Sequence, residues 1–371
     1  MNFDFSDELN QLREQARRFL SEQSSTRAVR RILEGGDTHD RALWQGIADL
    51  GWLGAAVPEA YGGVDLGREG LCVLAEEIGR ALAPVPFGSS VYLATEAILG
   101  HASESQRQQW LPAMVSGRQI GCFALAEGPG NPRASAVRAR VSGGRLSGEK
   151  WPVADGDVAD LAIVVALDEA GQPGLYAIEL AGTGVQRTPL KSIDPSRNQS
   201  RIRFDQAPAQ PLGNGAQGWA AIEQLLDRAA VLMAFEQVGG ASASLEMATA
   251  YARERLAFGR PIGSFQAIKH KLADVYMANE LARSNAYYGA WAIATDAQEL
   301  PLAAASARVS ATDAFYLASK ENIQTHGGMG FTWDMDCHFY YRRAKLLAVQ
   351  LGSNPHWKNR LVDHWNAQAA A

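Results

Sequence analysis

The sequence predicts an α+β fold with a helical N-terminal domain, a middle β domain and a C-terminal four-helix bundle. Three consecutive zones along its 371 residues, each with its own residue pattern, support this prediction. Apolar residues recur at helical spacing over 6–117, and short β-branched runs alternate with Gly, Pro and Asp turns over 119–217. Helical spacing returns from 219 onward. We therefore expect domains over 1–118, 119–218 and 219–371.

Local signals mark several elements inside these zones. Ser6 is placed to cap a first helix, and Ser103 starts another with Gln106 in the capping-box position. Gly143–Gly144 predicts a hairpin turn in the middle zone. The predicted strands include 161–167, 174–180 and 201–204, and the predicted C-terminal helices are 219–254, the stretch after Phe265, and 302–326.

Composition narrows the class of protein. The formal net charge is −5, which argues against a nucleic-acid binder because such proteins need an excess of basic residues. No run of about 18 apolar residues is present, so no membrane-spanning helix is expected. Cys72, Cys122 and Cys337 are odd in number and far apart, which favours a reducing, cytoplasmic compartment and predicts no metal site.

Two segments of the C-terminal zone carry the most specific signals. Residues 255–266 read RLAFGRPIGSFQ, and residues 324–331 read QTHGGMGF. With LGWLGAAVPEAYGG at 50–63 and the three-zone layout, they resemble the acyl-CoA dehydrogenase family over essentially the whole chain. The stretch GFTWDMDCHFYYRR at 330–343 is similar to a bacterial branch that degrades steroid or bile-acid side chains with mixed subunits.

The resemblance implies FAD as the cofactor, an acyl-CoA thioester as the substrate and electron-transfer flavoprotein as the electron acceptor. In such enzymes a carboxylate takes the α-proton while flavin N5 takes the β-hydride. The resemblance also implies a homo- or heterotetramer with a second acyl-CoA dehydrogenase subunit.

The residues of the two segments suit the adenosine half of FAD. Arg255 offers a positive charge to the pyrophosphate, and Gly327 and Gly328 allow backbone N–H groups to approach it closely. Gln266 and Gln324 offer amide donors and acceptors to the adenosine. In the family these positions usually reach across a dimer interface to hold the FAD of the neighbouring subunit.

Two aromatic residues extend this prediction. Phe258 offers an apolar surface to the cofactor, and Trp151, in GEKWPVADG, is similar to the family's tryptophan beside the flavin. For Trp151 the alternative is core packing. For the glycine-containing segments the alternative is ordinary loop chemistry, with a helix cap at Gly327 and a turn over 260–263.

Three departures from the family pattern affect the chain's own cleft. Ala126, in the loop LAEGPGNP, replaces a threonine whose hydroxyl bonds the flavin ring, and Val153 replaces a second hydroxyl-bearing residue after Trp151. The third departure concerns the glutamate base. Its usual position, before a glycine, is Leu351, and its position in a minority of the family is Ala229. Neither side chain can accept a proton.

Three other side chains are candidates to replace the base. Glu236 lies about two helical turns beyond Ala229 among apolar neighbours and is our candidate catalytic residue, with a structural ion pair as the alternative. Asp227 is the next candidate, with a solvated helix charge as its alternative. His326 fits packing or hydrogen bonding better than proton abstraction.

Three functions follow from this pattern. The chain keeps the family's residues for the adenosine half of FAD but lacks those that hold the flavin ring and take the proton. This pattern favours a subunit of a heteromeric acyl-CoA dehydrogenase with an atypical or partner-supplied base. The alternatives are a homo-oligomeric dehydrogenase with Glu236 as its base and a non-catalytic acyl-CoA or flavin-binding scaffold. Arg133, Arg138 and Arg140 either meet CoA phosphates or form a solvated strand face.

Overall fold

The computed structural model describes residues 5–35, 37–215 and 217–369. Residues 1–4, 36, 216, 370 and 371 lie outside the described residues, and with them the outer ends of the predicted domains 1–118 and 219–371. Along the described chain, helices come first, the main sheet follows, and long helices return.

The N-terminal part is helical, and its two predicted caps are present. Ser6 Oγ accepts a hydrogen bond from the N–H of Leu9 at 3.3 Å, and Ser103 and Gln106 form the reciprocal capping box. A π-helix over Gly88–Thr95 is buried along its whole length. The α-helices are α1 (Asp7–Gln23), α2 (Thr26–Leu33), α3 (Arg41–Asp49), α4 (Gly67–Arg80), α5 (Glu96–His101) and α6 (Glu104–Val115).

The middle part forms one mixed sheet. Its strands are β1 (Gly121–Ala124), β2 (Arg140–Ser142), β3 (Arg145–Ala154), β4 (Leu161–Leu167), β5 (Pro173–Glu179), β6 (Val185–Leu190), β7 (Gln199–Pro208) and β8 (Gln210–Pro211). Their order is β6-β7-β3-β2-β4-β5-β8, and β1 pairs in parallel with β4. Gly143 and Gly144 join β2 to β3 with φ of 54° and 71°, which confirms the predicted hairpin turn.

The C-terminal part consists of long helices and one small hairpin. Its elements are α7 (Gly218–Glu254), β9 (Leu256–Ala257), β10 (Arg260–Pro261), α8 (Gln266–Ala294), α9 (Leu300–His326), α10 (Cys337–Leu347) and α11 (Asn354–Ala369). Helix α9 packs against α8, α10 and α11. Among the described residues, no helix combines the length and the apolarity that a membrane span requires.

Contacts divide the chain into two compact units. One contains α1, most of α4 and the chain from 230 onward, and the other contains 30–71 and 84–229. Within the first unit, α4 crosses α7 at glycines. A Cβ on Gly79 would lie 1.9 Å from the carbonyl oxygen of Glu236, and one on Gly239 would lie 1.9 Å from that of Glu76. The sequence limits at 118 and 218 stay a prediction.

Candidate functional site

The first motif, residues 255–266, begins directly after α7 with an exposed hairpin. Strands β9 and β10 pair antiparallel, and Phe258 and Gly259 form the turn between them with φ of 52° and 77°. A positive φ is uncommon for a residue with a large side chain. The side chain of Phe258 is 96% exposed, and Arg255 at the base of the hairpin is also exposed. The hairpin therefore presents a cation and an aromatic ring outward.

The second motif, residues 324–331, contains the last residues of α9 and the turn that follows it. Gly327 ends the helix with φ 61° and ψ −138°, a conformation that residues with a Cβ rarely adopt. A Cβ on Gly327 or Gly328 would meet no other atom within 4 Å. Nothing in the described chain therefore requires glycine at 328, and its backbone is open to approach from outside. Gln324 is exposed beside it.

The structure brings the two motifs to the same end of the helices. His326 stacks on Tyr251 with 4.1 Å between ring centroids, which joins the end of α9 to the end of α7. Lys271 Nζ in α8 lies 3.3 Å from Glu321 Oε2 in α9. The first motif starts about one turn after Tyr251 and the second about one turn after Glu321. The two motifs therefore lie at the same end of these helices, and their joint action on one ligand stays a prediction.

His326 belongs to the junction between these helices. Its side chain is buried, and its Nδ1 lies 2.8 Å from the carbonyl oxygen of Asn322. Together with the stacking on Tyr251, this contact occupies the imidazole in packing and hydrogen bonding.

In the sheet, the loop LAEGPGNP is bound to the strand that carries Trp151. The N–H of Trp151 donates to the carbonyl oxygen of Ala126 at 2.8 Å, and the N–H of Gly128 donates to that of Trp151 at 2.9 Å. The Trp151 ring is half-buried, and the guanidinium of Arg201 lies 4.6 Å from its centroid. The ring therefore borders the loop at the surface of the sheet. Its contact with a flavin stays a prediction.

A buried ion pair that sequence reasoning missed holds this loop. Lys150 Nζ lies 2.6 Å from Glu127 Oε1 and donates to the carbonyl oxygen of Leu125 at 3.0 Å. Burial lowers the pKa of Lys150 to about 8, although Glu127 opposes the shift. Strand alternation places Lys150 on the same side of β3 as the buried Leu146, but a lysine gives no apolar signal, so the sequence did not indicate this burial.

Val153 lies just after a register shift in β3, and its side chain is fully buried. An added Cβ on Gly156 would lie 3.0 Å from Val153 Cγ1, so the two residues are close neighbours. That a hydroxyl at this position would bond the flavin ring stays a prediction.

Comparisons with known proteins agree with this arrangement. The pattern described as acyl-CoA dehydrogenase, N-terminal domain, matches residues 6–118, and that of the C-terminal domain matches 216–362. Acyl-CoA dehydrogenase IpdE2 of Mycobacterium tuberculosis is 30% identical over 94% of this chain and 94% of its own length. The chain belongs to the acyl-CoA dehydrogenase family. Members of this family are FAD-binding oxidoreductases.

Two solved structures support the same assignment. The Tcur3481-Tcur3483 steroid ACAD is 32% identical, with a TM-score of 0.89 over 98% of this chain and 99% of that one. The ChsE4-ChsE5 complex from Mycobacterium tuberculosis is 27% identical, with a TM-score of 0.89 over 99% of both chains. The predicted acyl-CoA dehydrogenase fold, with helical, β and helical domains in that order, is confirmed.

The residues of this acyl-CoA dehydrogenase fit the adenosine half of FAD. Arg255, Gln266 and Gln324 expose a guanidinium and two amides at one end of the helices, a donor set that suits phosphate and adenosine. When bound, FAD supplies the ring that accepts the hydride. The loop that faces this ring in the family fits it less well, because Ala126 offers no hydroxyl.

Neither of the acyl-CoA dehydrogenase base positions holds a carboxylate. Ala229 is buried in α7, and Leu351 lies between α10 and α11 with φ 59°. The buried guanidinium of Arg308 donates through Nη2 to the carbonyl oxygens of Leu347 and Gln350, just before this turn. The turn is therefore held in place although the proton acceptor is missing.

Glu236 and Asp227 are both buried in α7. Glu236 Oε1 lies 3.4 Å from Arg343 Nη1, and each of these side chains is 1% exposed. This ion pair favours a structural role for Glu236, and its role as a base stays a prediction. Asp227 is also only 1% exposed, so the expectation of a solvated helix charge is wrong.

Proposed function

We propose that this chain is one subunit of a heteromeric FAD-dependent acyl-CoA dehydrogenase and that it helps to hold the FAD of its partner. One observation carries the proposal. Side chains suited to the adenosine half are exposed together at one end of the helices, whereas Leu351 and Ala229 occupy both positions of the family's base. In the family, a subunit that performs its own α-proton abstraction carries the carboxylate at one of these two positions.

In this proposal each retained residue has a defined task. Arg255 neutralises the pyrophosphate, Gln266 and Gln324 hydrogen-bond the adenosine, and the open backbone at Gly327–Gly328 admits the cofactor. The partner subunit supplies the carboxylate that takes the α-proton. Electron-transfer flavoprotein is the proposed electron acceptor.

The substrate that we propose is the CoA thioester of a steroid side chain. The likeness to the Tcur3481-Tcur3483 steroid ACAD supports this substrate class. That structure and the ChsE4-ChsE5 complex are each named for two proteins, which supports a mixed tetramer. We also propose that the enzyme works in the cytoplasm, and the free thiols at Cys72, Cys122 and Cys337 support this placement.

Co-production separates this proposal from its alternatives. The chain is produced alone and together with the product of an adjacent acyl-CoA dehydrogenase gene, and visible flavin absorbance and molar mass are measured. We expect little flavin in the chain alone, and full occupancy with bleaching by a steroid acyl-CoA in the mixed assembly. Full occupancy and turnover in the chain alone would refute the proposal. A mixed assembly that binds flavin but is bleached by no acyl-CoA would favour a scaffold.

The exposed guanidinium at the base of the hairpin provides a second test. Arg255→Gln removes the charge proposed to meet the pyrophosphate, so we expect FAD to bind about tenfold more weakly to the mixed assembly. Flavin release on dilution measures this change. Arg260→Gln is the matched control, because Arg260 is exposed in the same hairpin with its guanidinium over the ring of Phe265. Equal losses in the two variants would contradict the assigned role.

A further inference from the structure

We infer that a cleft beside the β9–β10 hairpin binds a phosphate group, at a place separate from the residues that hold FAD. The cleft lies between the last turns of α7, the end of the hairpin and the first turns of α8, and its volume is about 330 Å³. Its polar lining consists of Thr249, Arg253 and Lys269. Arg255 and Gln266, which we assign to FAD, are not among its lining residues.

Backbone contacts fix the walls of the cleft. The N–H of Ile262 donates to the carbonyl oxygen of Arg255 at 2.8 Å, which closes the hairpin against the end of α7. Gly263 lies so close to α7 that an added Cβ would be 2.9 Å from the carbonyl oxygen of Ala252. The shape of the cleft therefore depends on main-chain geometry and not on flexible side chains alone.

The charges of the residues that line the cleft are unbalanced. Arg253 comes from the last turn of α7 and Lys269 from the first turn of α8, and the described lining contains no carboxylate. Within the described ranges neither side chain forms an ion pair, whereas the nearby Lys271 pairs with Glu321 at 3.3 Å. Two cations that share a cleft repel each other unless an anion lies between them. This is notable in a chain whose formal net charge is −5.

A phosphate monoester matches this set of groups. Arg253 can donate two parallel N–H groups to phosphate oxygens, Lys269 adds a point charge and Thr249 adds a hydroxyl. The first turn of α8 adds the favourable end of the helix dipole. Ala252 and Leu272 give the cleft an apolar part that can contact the body of an organic phosphate. The phosphate is either free inorganic phosphate or the phosphate of a nucleotide.

Titration calorimetry on the full-length chain, in its flavin-loaded assembly and at constant ionic strength, tests the inference. One arm uses inorganic phosphate and the other uses adenosine 3′,5′-bisphosphate, and the tighter arm identifies the source. We expect saturable binding that Arg253→Gln and Lys269→Gln each weaken about tenfold, since each removes a charged hydrogen bond. We expect Arg260→Gln, an exposed arginine outside the lining, to leave binding unchanged.

Three results would overturn the inference. They are the absence of saturable binding in both arms, an equal loss in Arg260→Gln, and binding that occurs only after FAD is removed. The last result would place the cleft inside the flavin site. The inference does not rest on the proposed function, because the site would bind phosphate whether or not the chain needs a partner for turnover.

Discussion

Glu236 and Arg343 form an ion pair from which water is almost fully excluded. Loss of one partner from such a pair typically costs about 3–5 kcal/mol, because the remaining charge stays buried without its counter-charge. We expect Glu236→Gln to lower the free energy of unfolding by about 3 kcal/mol and to leave turnover of the mixed assembly unchanged. Denaturant unfolding and an artificial electron acceptor measure the two quantities.

A second variant separates this structural role from catalysis. Glu236→Gln combined with Arg343→Gln leaves no unpaired charge at Arg343, so it should recover part of the lost stability, while the buried Arg308 still lacks the opposing charge of Glu236. If Glu236→Gln instead abolishes turnover while the chain stays as stable as before, Glu236 is the base and the predicted catalytic role holds.

Lys150 gives the folded chain a pH dependence at alkaline pH. Its pKa is lowered by burial to about 8 from an ordinary value of 10.5. Between these values the unfolded chain holds the proton that the folded chain has released, so stability rises with pH. We expect the contribution of this site to the free energy of unfolding to increase by about 3 kcal/mol from below pH 8 to above pH 10.5.

The reference for this measurement is a variant in which the pair cannot titrate. Lys150→Met with Glu127→Gln removes both charges, and the difference between wild type and variant cancels the other titrating groups. Urea unfolding at a series of pH values gives the difference. A difference that stays flat, or falls as the pH rises, would contradict the lowered pKa of Lys150.

At the scale of elements, α4 and α7 owe their close crossing to two glycines. Since a Cβ on Gly239 would lie 1.9 Å from the carbonyl oxygen of Glu76, Gly239→Ala must push the two helices apart. We expect it to destabilise the chain by about 3 kcal/mol, the upper end of ordinary overpacking. Thermal unfolding measures the loss.

Gly100 provides the matched control for this substitution. It lies in α5, and an added Cβ would meet no other atom within 4 Å. Gly100→Ala should therefore stabilise the chain by about 0.5–1 kcal/mol through helix propensity alone. Similar losses in both variants would show that the helix crossing is not the cause.

At the scale of the whole molecule, we expect a partner subunit to cover the exposed aromatic rings of the two motifs. Phe258 is 96% exposed and Phe331 is 77% exposed. Buried aromatic side chains often dominate the energy of an interface. We expect Phe258→Ser with Phe331→Ser to weaken the mixed assembly at least about tenfold and to leave the stability of the isolated chain unchanged.

Sedimentation of the co-produced subunits measures this assembly. Trp365→Ser is the control, because Trp365 is 66% exposed in α11, away from both motifs in the sequence. An assembly as stable as wild type in the double phenylalanine variant would remove these rings from the subunit interface.

The sequence by itself determined the features that depend on neighbours along the chain. The Ser6 and Ser103 caps, the Gly143–Gly144 turn and strand 161–167 follow from local hydrogen bonding, positive φ and apolar runs. The sequence also predicted the order of helical, β and helical parts and the two C-terminal motifs, because each of these features lies in one contiguous segment.

Tertiary structure alone decided which distant side chains meet. Lys150 forms an ion pair with Glu127, and Arg308 donates to the carbonyl oxygen of Gln350. Helix α4 packs with the C-terminal helices, and all three contacts join residues that are far apart in sequence. The register shift in β3 between Lys150 and Val153 leaves both side chains buried, which strict alternation along the strand does not predict. Local propensity cannot encode such choices, since they are fixed by the packing of elements that the chain brings together only when it folds.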